Sequence, residues 1–212
     1  MATLDMQEQE QEQVDAFKSW WKTNGTRVMA LLAAIVLTLA AMMGWQYYQA
    51  KQVAEASTLY TELEKQLASN DPKRINDAAA VIIEKYSSTA YAPRAALLSA
   101  QVSMFLADAP QAKSRLRWVI EHAKETGLQN VAKLRLATLL LDEKDYDGAL
   151  KLLEGAQAET YAGLYADLKG DILSVQNKTA EARIAYQQAL DKVDAKNAYR
   201  NLIQLKLDGL AK

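Results

Sequence analysis

No charged residue occurs between Arg27 and Lys51, and within Val28–Trp45 only Thr38 and Gly44 are not hydrophobic. A helix that is apolar all round has no face to give to water, so it has to be buried in protein or in lipid. At ~1.5 Å per residue the segment 28–48 makes a helix of roughly 31 Å, matching a hydrocarbon core of about 30 Å. Trp20 and Trp21 on one side, and Trp45, Tyr47 and Tyr48 on the other, supply amphipathic rings suited to the two headgroup layers. Lys18, Lys22 and Arg27 stand within ten residues before the run, against Lys51 alone in the ten after it. That bias predicts a cytoplasmic N-terminus, with the remainder of the chain across the membrane.

A cleaved signal is the rival reading, because Ala54-Glu55-Ala56 supplies a small-x-small site downstream. The run exceeds the ~7–15 residues of a signal's apolar core and follows an acidic tail, so the segment is expected to stay attached. Residues 1–27 read as a short polar cytoplasmic tail. Its first 15 residues carry five carboxylates and too little apolar surface to pack, which suits a disordered or frayed helical segment. Within the span, Ala30, Ala34 and Thr38, and separately Ala40 and Gly44, follow a small-xxx-small spacing that lets a second helix approach closely.

Residues 49–212 have a different pattern. Only 8 Gly and 3 Pro occur in the whole chain, and Ala, Leu, Gln, Glu and Lys abound, a composition that predicts helix almost throughout. Amphipathic segments of ~12–17 residues are separated by short breaks such as Asn70-Asp71-Pro72, Ser87-Ser88-Thr89, Thr126-Gly127 and Asn177-Lys178. Asp71 before Pro72 makes an N-cap and N1 pair, and Asp145 and Thr179 are candidate caps for the segments that follow them.

An alanine followed four and seven residues later by a large and then an apolar or small residue recurs along this region. The copies are Ala112-Leu116-Val119, Ala149-Leu153-Ala156 and Ala182-Tyr186-Ala189, preceded by a degenerate Ala78-Ile82-Lys85, at spacings of 34, 37 and 33. Twelve residues before the last three sit Ala100, Ala137 and Gly170. Small residues at this interval mark the crossing of two helices in a 34-residue tetratricopeptide hairpin. The fold expected is all-α: a transmembrane helix over 28–48, then a tetratricopeptide-like solenoid of about four hairpins, the first degenerate. Asn197–Leu210 serves as the helix capping its terminal face.

From end to end the chain resembles the YfgM-like ancillary subunits of the bacterial Sec translocon. The resemblance rests on the short acidic tail, a single span ending in Gly44-Trp45-Gln46-Tyr47-Tyr48, and the segments Leu134-Arg135-Leu136-Ala137, Ala166-Asp167-Leu168-Lys169-Gly170 and Gln204-Leu205-Lys206-Leu207. It implies an inner-membrane protein with a periplasmic tetratricopeptide-like domain, associated with the translocon channel subunits and with membrane-anchored periplasmic chaperones. Two features depart from the family pattern: about three extra residues around Thr126-Gly127-Leu128, and a tail in which Gln and Glu alternate.

Catalysis has no foothold in the sequence. The single histidine, His122, lies near a helix end without a second His or any Cys to share a metal, and no nucleophile elbow or phosphate-binding glycine loop occurs. Asp142, Glu143, Asp145 and Asp147 fall in a turn between repeat helices, where turn and capping chemistry explain them. A non-enzyme without cofactor or metal is expected. Lys plus Arg (25) against Asp plus Glu (26) gives none of the basic excess that a nucleic-acid surface needs.

In a tetratricopeptide array the first helix of each hairpin, the A helix, lines the concave face. By register the groove positions are Arg94, Leu97, Gln101 and Met104, then Val131, Leu134, Thr138 and Leu141, then Leu164, Asp167, Asp171 and Ser174. A single cation among these twelve, Arg94, disfavours a clamp for a terminal carboxylate. Leu97, Met104, Val131, Leu134 and Leu141 form a candidate apolar trough, unless neighbouring helices cover them. Two readings stay open: an adaptor holding a chaperone beside the channel, and a holdase whose groove binds unfolded client polypeptide directly.

Overall fold

The computed structural model describes residues 2–67, 71–155, 159–194 and 197–210. Asn70, placed in a break, and Ala156, placed at a repeat position, lie outside the described residues. The helices are α1 (Ala2–Leu67), α2 (Pro72–Lys85), α3 (Tyr91–Phe105), α4 (Ala109–His122), α5 (Thr126–Asp142), α6 (Tyr146–Leu152), α7 (Glu159–Val175), α8 (Thr179–Lys192) and α9 (Tyr199–Gly209). The chain divides into two compact units, Met1–Lys51 and Gln52–Lys212. In the first, the apolar stretch of α1 reaches a mean hydropathy of 2.3 with none of that stretch buried. Met29, Leu31, Val36, Leu37, Leu39 and Met43 all stand exposed, so within this unit no described residue covers these side chains.

The second unit is a stack of hairpins. α3 packs on α4, α5 on α6 and α7 on α8; α2 packs on α3, and α9 on α8. Before α2, the last turns of α1 contribute Leu63, fully buried, with Leu59 and Tyr60 against the same core. Among the A helices, α3 touches α5 and α5 touches α7, whereas no pair from α2, α4, α6 and α8 comes comparably close. The closer layer of a curved stack is its inner one, so the A helices line the inside.

The turn inside each hairpin repeats atom for atom. Ala107, Lys144 and Asn177 hold left-handed backbone at φ of 58°, 64° and 61°. Each donates its N–H three residues back, to Met104, Leu141 and Ser174, and the next residue donates to Ser103, Leu140 or Leu173 at 2.8–2.9 Å. These paired bonds are the Schellman closure, which satisfies carbonyls at a helix end. The residue after the left-handed one then opens the following helix. Asp108 and Asp145 accept from the backbone N–H of Gln111 and Gly148. In the last hairpin Lys178 occupies that place without a side-chain cap, so Thr179 is the first helical residue rather than the expected cap. The left-handed residues lie five positions before Ala112, Ala149 and Ala182, so turn and crossing form one unit.

The crossing residues Ala100, Ala112, Ala137, Ala149, Ala182 and Ala189 are fully buried. Gly170 shows why they are small: a Cβ there would lie 2.5 Å from the ring carbons Cδ1 and Cε1 of Tyr186. α6 differs from the expected pattern in length. It ends at Leu152 after 7 residues, whereas α4 and α8 run 14. Leu153 and Glu154 close it with tight bonds to the carbonyls of Leu150 and Lys151, and Gly155 follows at φ 93°.

Two stability predictions follow from these contacts. Left-handed backbone costs a residue with a Cβ about 1–2 kcal/mol, so Lys144→Gly should raise the thermal midpoint by about 1–3 °C. Asn177→Gly should change it less, because asparagine tolerates this conformation; equal shifts in calorimetry would contradict the account. Ala182→Leu should cost ~1–3 kcal/mol by overpacking, whereas the exposed neighbour Glu181→Ala should cost under ~0.5 kcal/mol. Denaturant midpoints of the two variants give the comparison.

Candidate functional site

The A-helix face is where the structure collects the predicted binding positions. Gln101 and Thr138 are exposed, and Arg94, Leu97, Met104, Val131, Leu134, Leu141, Leu164, Asp171 and Ser174 are half-buried. Leu97, Met104, Leu134 and Leu141 also pack against the core, so the expected apolar trough is a row of partly covered side chains rather than an open channel. Asp167 requires a correction: it is 2% exposed and lies beneath α9 instead of facing an open groove.

Neighbouring A helices are joined by polar bridges that the repeat pattern did not indicate. Between α3 and α5, Arg94 pairs with Glu125 at 2.8 Å. Between α5 and α7, the buried Tyr165 hydroxyl donates to Asn130 at 2.8 Å, and Asn130 in turn donates to the carbonyl of Thr126. Burial raises the Tyr165 hydroxyl to about 12, so it stays a donor at neutral pH. Each bridge spans 31 or more positions in sequence, and no local signal announces such a pairing.

The third bridge, between α7 and α9, is the densest. Lys206 Nζ lies 2.8 Å from Asp167 Oδ2 and 2.7 Å from Asp171 Oδ2. Tyr186 donates to Asp171 Oδ1 at 2.7 Å, and Tyr199 donates to Asp167 Oδ2. The Lys206 ammonium also lies 5.8 Å from the centre of the Tyr186 ring. Tyr186 therefore does two things: its ring fills the notch left by Gly170, and its hydroxyl holds a carboxylate. Burial raises the Tyr186 hydroxyl, and its bond to Asp171 raises it further; the same causes act on Tyr199 through Asp167. Burial alone would lower Lys206, but the two carboxylates outweigh it and hold the ammonium above the ordinary lysine value.

The remaining candidates separate cleanly. His122, the last residue of α4, is exposed, stacks on Trp118 at 4.6 Å and contacts the Trp118 carbonyl through Nδ1, as a helix terminus does. Glu143 pairs with Lys113 at 2.6 Å and Asp145 caps α6, so these turn carboxylates are spent on structure. Among the described residues no group of three or more His, Cys, Asp or Glu could hold a metal. Along the span, Ala30, Ala34, Thr38, Ala40 and Gly44 are all exposed. Thr38 satisfies its hydroxyl on the Ala34 carbonyl, and a Cβ at Gly44 would meet nothing within 4 Å.

Because Tyr186, Tyr199 and Lys206 all hold protons more tightly folded than unfolded, their stabilisation is complete below about pH 10 and is lost above it. The thermal midpoint should accordingly fall as pH rises from 10 to 11.5. The fall should be shallower in the double variant Tyr186→Phe with Tyr199→Phe; parallel curves would refute the assignment.

Comparison with known proteins bears on the whole chain. The tetratricopeptide repeat-like domain family matches residues 18–212. The "Ancillary SecYEG translocon subunit" of Neisseria gonorrhoeae is 32% identical over 206 residues, covering 95% of this chain and 97% of that protein. The protein of the same name from Escherichia coli is 28% identical over 211 residues, covering 98% and 100%. Among solved structures, "MamA 41-end from Desulfovibrio magneticus RS-1" superposes with a TM-score of 0.54 at 18% identity, covering 74% of this chain and 89% of that one, a likeness of fold. The chain therefore belongs to the family of ancillary SecYEG translocon subunits built on a tetratricopeptide repeat-like domain.

Proposed function

We propose that the chain is a membrane-anchored protein–protein interaction module that assembles with the channel subunits of the Sec translocon. Residues 1–27 form its cytoplasmic tail, 28–48 its single span and 49–212 a periplasmic domain in the bacterial inner membrane. There the domain links the channel to a membrane-anchored periplasmic chaperone that assists translocated proteins. The observation that carries this reading is one chain combining a helix whose apolar faces stand uncovered with a hairpin stack whose A-helix face keeps Gln101 and Thr138 exposed. An uncovered apolar helix belongs in lipid, and a stack of hairpins presents an extended surface for a partner.

The holdase reading draws on the same row of Leu97, Met104, Val131, Leu134 and Leu141. It is the weaker one, since four of these five already pack on the core and have less apolar area to offer an unfolded chain. Binding of folded or pre-shaped partners needs less exposed apolar surface and more polar register, which the bridged A-helix face supplies.

Added protease should digest the C-terminal domain in spheroplasts and leave residues 1–27 protected; protection of the domain under an accessible outer face would overturn the orientation. Photo-crosslinkers at Gln101 and Thr138 in intact membranes should capture translocon subunits or a chaperone in stoichiometric amounts. Adducts spread over many client chains, together with suppression of client aggregation by the purified full-length protein, would favour the holdase.

A further inference from the structure

We propose that the stack is articulated between the α5–α6 and α7–α8 hairpins, so that α7, α8 and α9 swing as one body about the seam between α5 and α7. The articulation belongs to the domain itself and does not rest on what the domain binds.

The outer side of that seam is open. Elsewhere in the stack the second helix of a hairpin packs closely on the first helix of the next, α2 on α3 and α4 on α5. α6 meets α7 only slightly, because it runs 7 residues where α4 and α8 run 14. Beyond its end lies a notch of about 690 Å³, lined by Leu153 and Gly155, by Ala162 and Ala166 of α7, and by Gln188 and Lys192 of α8. The chain leaves α6 through Gly155 at φ 93°, which is not helical backbone.

The inner side of the same seam is bonded. α5 touches α7 there, and Tyr165, which also borders the notch, donates from its buried hydroxyl to Asn130 at 2.8 Å. A seam bonded along one edge and open along the other can rotate about the bonded edge, while the directional bond resists sliding. The swinging part is tied together within itself. Tyr186 fits beside Gly170, Lys206 joins α9 to Asp167 and Asp171 of α7, and Arg200 bonds the carbonyls of Leu190 and Val193. The core divides at the same place. One cluster of buried residues runs as far as Ile172, and a second, from Leu173 to Leu207, belongs wholly to α7, α8 and α9.

Rotation toward the notch brings α8 closer to α6 and covers Leu150, Ala162 and Ala166, which are half-buried. The apolar area gained offsets the cost of leaving the open arrangement, so both arrangements are populated. Narrowing on the outer side levers the inner helices apart. Leu164 and Ser174 on α7 then shift against Val131 and Leu141 on α5, and the A-helix face flattens.

The chain contains no cysteine, so paired cysteine substitutions place nitroxide labels at chosen positions alone. Ser114, Lys151 and Ile184 each stand two residues after a crossing alanine, on α4, α6 and α8, and all three are exposed. Double electron–electron resonance is measured on the full-length protein in detergent micelles. Lys151→Cys with Ile184→Cys should give a broad distance distribution with a second component about 5 Å shorter, half the ~10 Å diameter of a helix. Ser114→Cys with Lys151→Cys, across the closely packed step, should give a single narrow distribution. Equal widths for the two pairs overturn the articulation. Ala162→Trp, which puts an indole into the notch, should remove the shorter component and leave the longer one. Survival of the shorter component in that variant overturns the proposal as well, since the motion would not be one that closes the notch. If Ala162→Trp does not fold, Gln188→Trp, from the exposed side of α8, carries the same comparison.

Discussion

Close approach of two helix backbones governs this domain, and it is possible only where one helix presents almost no side chain. At Gly170 the Tyr186 ring sits where a Cβ would be, so the α7–α8 pair cannot admit even alanine without moving. Fully buried Ala137 and Ala149, and Ala100 and Ala112, mark the same positions one and two hairpins earlier. The approach leaves few ways to connect the helices: the chain must reverse within two or three residues, which forces the left-handed backbone at Ala107, Lys144 and Asn177. None of the three is glycine, so the pull of the buried crossing outweighs the strain of the turn. Packing thus dictates turn geometry here, and the turn in turn sets which residue opens the next helix.

That hierarchy explains what was legible in the sequence. Alanine at intervals of 34, 37 and 33 is a packing signal with a fixed period, so the hairpins, their order and the capping helix could be read directly. Asp71 and Asp145 were also legible, because a cap depends on the few residues beside it. Thr179 was misread by one position: the left-handed residue Asn177 places Lys178 at the cap, and cap preference alone gives no warning of where the turn closes. The early end of α6 was likewise hidden, since Ala149 and Leu153 fit the repeat whether the helix runs 7 residues or 14.

Among the site residues, position was legible and availability was not. Register placed Asp167 and Asp171 on the A-helix face, and they are on it, but their occupant comes from 39 and 35 positions further along. The same holds for Arg94 with Glu125 and Tyr165 with Asn130: a repeat period says which face a residue shares, never which distant side chain will meet it there. Lys206 carried one trace of its role, a cation on the capping helix among Leu205, Leu207 and Leu210, six and five positions beyond the Arg200–Asn201 pair. Reading that trace requires knowing that α9 lies over α7.

A stack in which each hairpin meets only its neighbours has no central core to lock distant parts together, so its rigidity is the sum of successive interfaces. Apolar contacts hold neighbours together without fixing how far one slides along the next, because such contacts are not directional. Hydrogen bonds and ion pairs are, and the A-helix row has one at every step described: Arg94 to Glu125, Tyr165 to Asn130, and Lys206 to Asp167 and Asp171. The Arg94–Glu125 pair is half-exposed and of modest strength in water, while the Tyr165 hydroxyl and the Asp167 carboxylate are buried and hold their partners more firmly. A row fixed by directional bonds keeps its register where apolar packing alone would let neighbouring helices slide.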